Sequence, residues 1–211
     1  MKGFYKVLYT LLAKPFRFIF NIKIEGSQNE PKADEGTFIV CSNHISAGDP
    51  IWLCVSLRYH KPHFMAKSEL FKIPLLNSLI RFFGAYPVER NGVDVSAIRH
   101  TISMLQDGIW VGMFPQGTRC NGKNPSETKV RSGVGMIATR AKVGVLPVYI
   151  DTKNFKSSVF GRKRIIIGEP ISAEEIAVMY ENGADYSQIS RSVFNKICAL
   201  GGVCSDDKTD A

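Results

Sequence analysis

The stretch Ser42-Asn43-His44-Ile45-Ser46-Ala47-Gly48-Asp49-Pro50 sets an imidazole and a carboxylate in a short polar gap between two apolar runs. A carboxylate that accepts the Nδ1–H of a histidine fixes its tautomer. It leaves Nε2 free to take a proton from a hydroxyl and stabilises the imidazolium that forms. A base positioned in this way is worth roughly 10²–10⁴ in rate. Asp49-Pro50 is also the pattern of a helix cap followed by proline, so the pair alone leaves open a loop histidine beside a capping aspartate. Two arginines join it. GAYPVER ends in Arg90 and FPQGTR in Arg119, and each follows an apolar, strand-like segment from which a turn can aim a guanidinium into a cleft. Two such groups on one anion supply charge-assisted hydrogen bonds of roughly 1.5–3 kcal/mol each, and phosphate fits the guanidinium fork.

These residues need elements to hold them. Thr37 to Ser42 is short, apolar and β-branched, a buried strand ending just before His44. Asp49 opens a helix through IWLCVSLRYH. Strands are expected at His63–Ala66, Ala85–Val88, Ile109–Phe114, Val145–Ile150 and Arg164–Ile167. Helices are expected over Glu69–Phe83, interrupted at Pro74, from a cap at Asp94 to about Leu105, over Gly133–Ala141, after the capping box at Ser172, and from Tyr186 to Leu200. Gly26–Gly36 reads as a loop. Helices and strands alternate, which predicts a single α/β domain with a mixed, mostly parallel sheet covered by helices. The expected organisation is a membrane-associating segment over 1–25, the domain over 26–204 and a flexible tail over 205–211.

The chain has 211 residues, 45% of them hydrophobic, enough for one domain with a core, and a formal charge of +8 that suits an anionic partner. No zinc-finger spacing, RNP pattern or Lys/Arg-rich run points to nucleic acid, and none is expected as a partner. Five cysteines without CxxC spacing argue for reduced thiols in a cytosolic compartment. His60 and His63 lack partners at metal-ligand spacing, so no metal site is expected; His100 has no assigned role. From Met1 to Ile24 there is no acidic residue, while Lys2, Lys6, Lys14, Arg17 and Lys23 punctuate a run rich in Phe, Leu, Tyr and Ile. Its apolar stretches are too short to span a bilayer, and no signal-cleavage pattern follows. The segment suits a helix lying in the interface of an anionic membrane, or an ordinary terminal helix packed on the domain. The expected location is the cytoplasmic face of the membrane, without a transmembrane span.

His44-Ile45-Ser46-Ala47-Gly48-Asp49 resembles the HX4D motif of the glycerolipid acyltransferase family, the one that contains the bacterial PlsC-type lysophosphatidic acid acyltransferases. GAYPVER resembles that family's second block, FPQGTR its third, and Val145-Leu146-Pro147-Val148-Tyr149 its fourth; AKSEL resembles the segment between the first two. The likeness covers roughly Gly36 to Ile150. Gln116 stands where the family usually has Glu, and Cys120 where Ser is common.

The resemblance implies the family's glycerol-3-phosphate acyltransferase-like fold and direct transfer of an acyl group from acyl-CoA or acyl-carrier protein, as co-substrate, to lysophosphatidic acid. The product is phosphatidic acid, and no cofactor is needed. His44 would be the base, Asp49 its orienter, and Arg90 and Arg119 the phosphate clamp. Asn43, Gln116, Gly117 and Thr118 would shape or orient, and Lys67 and Arg131 are candidate anion contacts. Phe71 to Phe83 would line an acyl groove or be core. The alternatives are an acyltransferase for glycerol 3-phosphate or another lysophospholipid, and a catalytically silent phospholipid-binding protein on the same fold. Cys120 beside Arg119 allows a different chemistry, a thiolate nucleophile with its pKa lowered by the guanidinium.

Overall fold

The computed structural model describes residues 3–32, 34–88 and 95–203, with side chains from residue 11 onward. Asp94 and the 205–211 tail lie outside the described residues. The elements run α1 (Gly3–Ile19), β1 (Ile22–Glu25), β2 (Phe38–Ser42), α2 (Asp49–Ser56), β3 (His63–Lys67), α3 (Pro74–Phe82) and β4 (Tyr86–Val88). They continue with α4 (Val95–Gln106), β5 (Val111–Met113), α5 (Gly133–Ala141), β6 (Gly144–Thr152), β7 (Lys163–Ile167), α6 (Ala173–Glu181) and α7 (Tyr186–Leu200).

The strands form one sheet in the order β1-β7-β6-β2-β5-β3-β4. Every neighbouring pair is parallel except β6 and β7. The chain is a single α/β domain with a mostly parallel sheet, as the alternation of elements predicts. Alternate residues of the central strands serve opposite layers. Ile39 and Cys41 pack with α4, α5, α6 and α7, whereas Val40 packs with Trp52 and Leu53 of α2 and with Phe16 of α1. Burial on both faces explains why β2 reads as a continuous apolar run rather than an alternating one.

Three local features differ from the expectations. Residues 22–25 form a strand paired with β7, so the sheet begins inside the segment read as N-terminal. Helix α2 stops at Ser56 rather than running to His60. The cause is Glu30, in the stretch read as a loop. Its buried carboxylate accepts from the backbone N–H groups of Arg58 (2.7 Å), Tyr59 (2.8 Å) and His60 (3.3 Å), turning the chain away from the helix. The third concerns Phe71–Phe83. Helix α3 has no buried residue, and Leu75 and Leu79 are exposed, so the helix is not core, although Phe83 after it packs against the cluster around Trp52 and Leu53. His60 packs face to face on Trp110, with ring centroids 3.6 Å apart.

Glu30→Ala leaves these three donors without their acceptor. Urea unfolding of that variant should show a loss of about 2–3 kcal/mol, with Glu30→Gln recovering part of it.

Candidate active site

Strands β2, β5, β3 and β4 run in parallel, so their carboxyl ends share one edge of the sheet, where open α/β folds hold ligands. His44 follows β2, Lys67 ends β3, and Arg119 follows β5. Strand β4 ends at Val88; Arg90 lies outside the described residues.

The centre of the site is Asp49, fully buried. One carboxylate oxygen, Oδ2, accepts from the His44 ring at Nδ1 (2.8 Å), from the Ile45 N–H (2.6 Å) and from the Ser46 N–H (2.8 Å); Oδ1 accepts from the Ser46 hydroxyl (2.7 Å). Asp49 is the first residue of α2, with Gly48 at the cap position and no side-chain cap bond. The carboxylate therefore points back into the loop, which removes the helix-cap reading. A buried carboxylate is costly unless its oxygens are satisfied, and here the loop supplies the donors. Gly48 is required by contact: a Cβ there would stand 2.8 Å from the Trp52 indole Nε1.

His44 is held from every side except one. Its N–H donates to Gln116 Oε1 (2.7 Å), and its carbonyl accepts from the Cys120 N–H (2.8 Å). Its ring lies on that of Phe114, with centroids 3.9 Å apart at 11°. With Nδ1 committed to Asp49, Nε2 has no partner among the described residues, and the side chain keeps 15% of its exposure. The imidazole is fixed, partly open and oriented by a carboxylate, which is what a general base requires.

The FPQGTR turn provides the clamp on the His44 backbone. Gly117 has a left-handed φ of 68°, and a Cβ on it would meet Arg131 Cδ and Nε at 2.5 Å. Arg131 is thereby laid across the turn, and its N–H donates to the Pro115 carbonyl (2.8 Å). Gln116 is buried; besides accepting from His44, it donates through Nε2 to Thr128 Oγ1 (2.7 Å). Asn43 continues the β2–β6 pairing with its side chain, donating to the Ile150 carbonyl (3.0 Å) and accepting from the Ile150 N–H (2.8 Å). Thr118 and Arg119 are exposed, and Arg119 has no partner among the described residues. Lys67 is exposed and paired with Glu69 at 2.8 Å.

The alternative of a thiolate nucleophile at Cys120 is not supported by its surroundings. Partial burial raises the thiol pKa above its ordinary value, with Lys123 opposing only weakly, and the thiol lies 3.7 Å from the Thr118 carbonyl. A protonated thiol is a poor nucleophile. Among the described residues, no three His, Cys, Asp or Glu side chains converge as metal ligands would.

Three participants escaped the sequence reading. Ser46 and Phe114 sit inside motif blocks, yet nothing in spacing alone reveals a hydroxyl aimed at Asp49 or a ring beneath His44. The third is Lys163, buried at the start of β7 with its ammonium 4.7 Å from the centroid of the Trp52 ring. Burial lowers its pKa, and the charge of Asp49 acts in the opposite sense. As the first residue of KRIII it gave no signal of burial.

An acyl-transfer family is what this fold and site define, and comparison with known proteins agrees. The family profile described as Acyltransferase matches residues 21–151, and the chain belongs to that family. It is 31% identical over 176 residues to the 1-acyl-sn-glycerol-3-phosphate acyltransferase of Bacillus subtilis, covering 81% of this chain and 85% of that one. The enzyme of the same description from Streptococcus pneumoniae is 29% identical, and the match spans 78% of this chain and 61% of the relative. The crystal structure of the 1-acyl-sn-glycerophosphate acyltransferase PlsC from Thermotoga maritima superposes with a TM-score of 0.67 at 27% identity, covering 93% of this chain and 79% of that chain.

Asp49→Asn keeps the volume but sets an amide against several donors. Acyl-transfer turnover should fall by about 10²–10⁴, whereas Cys120→Ala should retain it; steady-state rates of the two folded variants check both.

Proposed function

We propose that the chain transfers an acyl group from a thioester, acyl-CoA or acyl-carrier protein, to the free hydroxyl of lysophosphatidic acid, giving phosphatidic acid at the cytoplasmic face of a membrane. The observation that carries the reading is the fixed His44–Asp49 pair with its free Nε2, together with relatives whose names specify this acceptor.

In this mechanism Nε2 takes the proton as the acceptor oxygen attacks the thioester carbonyl. Asp49 stabilises the resulting imidazolium, and the proton then passes to the departing thiolate. The His44 ring is held by its Nδ1 bond to Asp49 and by stacking on Phe114, while its backbone is tied at both the N–H and the carbonyl. Near-attack geometry is thus set before substrate arrives. Arg119, exposed and without a described partner, is free to meet a phosphate; Arg90 is proposed as the second cation, and Arg131 beside Gly117 as a third. Lys67 contributes less, because Glu69 already neutralises it. Among the described residues no helix is long and apolar enough to cross a membrane. Helix α1, with Phe18 and Ile19 exposed and Arg17 in its last turn, is the proposed contact.

The test is acyl transfer to lysophosphatidic acid by purified protein in vesicles, with each donor in turn. His44→Ala should lower kcat by about 10²–10⁴. Arg119→Ala should raise KM for the acceptor about tenfold or more while sparing kcat, in line with one lost charge-assisted bond. Absence of product with both donors would overturn the acceptor assignment, and an unimpaired His44→Ala would overturn the base.

A further inference from the structure

The loop joining β6 to β7 has a composition that its position does not explain. Residues 153–162, KNFKSSVFGR, carry Lys153, Lys156 and Arg162 and no acid. A turn closes from the Gly161 N–H to the Ser158 carbonyl (3.2 Å), and at its tip stand Val159, 58% exposed, and Phe160, 67% exposed. Turn tips ordinarily take Gly, Asn, Asp or Ser. Two adjacent large apolar side chains there remain mostly exposed rather than joining the core.

The tip is also built rather than loose. The buried Lys163 ammonium donates to the carbonyls of Val159 (2.8 Å) and Gly161 (2.8 Å) and reaches the Phe20 carbonyl (3.4 Å). Phe160 stacks on Phe20, centroids 5.7 Å apart and rings 3° from parallel. Phe20 directly follows α1, whose Phe18 is 88% exposed. One buried cation therefore fixes the backbone of the tip and joins it to the residue that follows α1, so that Val159 and Phe160 are held exposed beside the end of that helix.

We propose that Val159 and Phe160 form a membrane-inserting wedge that docks on an anionic phospholipid surface, with Lys156 and Arg162 meeting the headgroups. Apolar side chains backed by cations without an acid match the two attractions such a surface offers, area burial and charge. A second copy of this chain fits poorly, because two basic loops would face each other in a molecule of charge +8. The inference rests on the lipid-acceptor reading only for its purpose, since docking is measurable without turnover.

The experiment is co-sedimentation of the full chain with vesicles of phosphatidylcholine alone and with about 30 mol% phosphatidylglycerol. Val159→Ser/Phe160→Ser should lower partitioning onto the anionic vesicles at least about fivefold. Lys156→Gln/Arg162→Gln should lower it there and leave neutral vesicles unaffected. Phe160→Trp should shift its emission to the blue on adding anionic vesicles. Both double variants should turn over short-chain, monomeric substrates at the parental rate. Unchanged partitioning with no emission shift would overturn the wedge. So would equal loss of activity on monomeric substrates, a dimer dispersed by the serine variant, or a defect confined to an acidic protein donor. Vesicle binding that depends on the tip in a protein inactive on lysophosphatidic acid would keep the wedge and sink the acceptor assignment.

Discussion

The site depends on one buried carboxylate. Asp49 can sit unexposed only because the loop between β2 and α2 turns two backbone N–H groups, a hydroxyl and an imidazole toward it. Without those donors the burial would cost several kcal/mol. The same bonds that make the burial tolerable fix the loop, and the loop fixes His44. The sheet order completes the arrangement. With β2 between β6 and β5, Asn43 is anchored on Ile150 of β6 and the His44 backbone on the turn after β5. Orientation of the base is thus shared among three strands.

Gln116 shows how the departure from the family's usual glutamate is accommodated. Its amide accepts from the His44 N–H and donates to Thr128 Oγ1, while the Thr128 hydroxyl donates its own proton to the Pro125 carbonyl (2.7 Å). A carboxylate could make the first bond but has no proton for the second. The amide therefore ties the turn after β5 to the segment around Thr128.

Much of this was legible in the sequence where local physics dominates. The apolar runs gave β2 and β6, the capping box at Ser172 gave α6, and the spacing of His44 and Asp49 gave a pair that the structure joins at 2.8 Å. What escaped depends on contacts distant in the chain. Whether Asp49 capped its helix or faced backward could not be read from Asp-Pro. Glu30 ends α2 from about 28 residues upstream, and nothing in a polar loop distinguishes a carboxylate that will be buried. Strand β1 is short and was absorbed into the basic, aromatic stretch before it. Lys163 is the clearest case: a lysine opening an apolar strand reads as exposed, yet three backbone carbonyls and the Trp52 ring make its burial tolerable. For the apolar residues of α3 the sequence left groove and core open, because periodicity reports amphipathicity without saying which face meets protein.

The central claim is that Asp49 holds His44 as the Nδ1–H tautomer with Nε2 free to accept a proton. Its most direct test is long-range ¹H–¹⁵N correlation NMR of protein labelled at histidine, with the His44 resonances assigned by their loss in His44→Gln. In the neutral ring, Nδ1 should carry the shift of a protonated nitrogen and Nε2 that of an unprotonated one. A neutral ring protonated at Nε2 instead would contradict the claim, because the nitrogen facing solvent would then have no lone pair with which to act as the base.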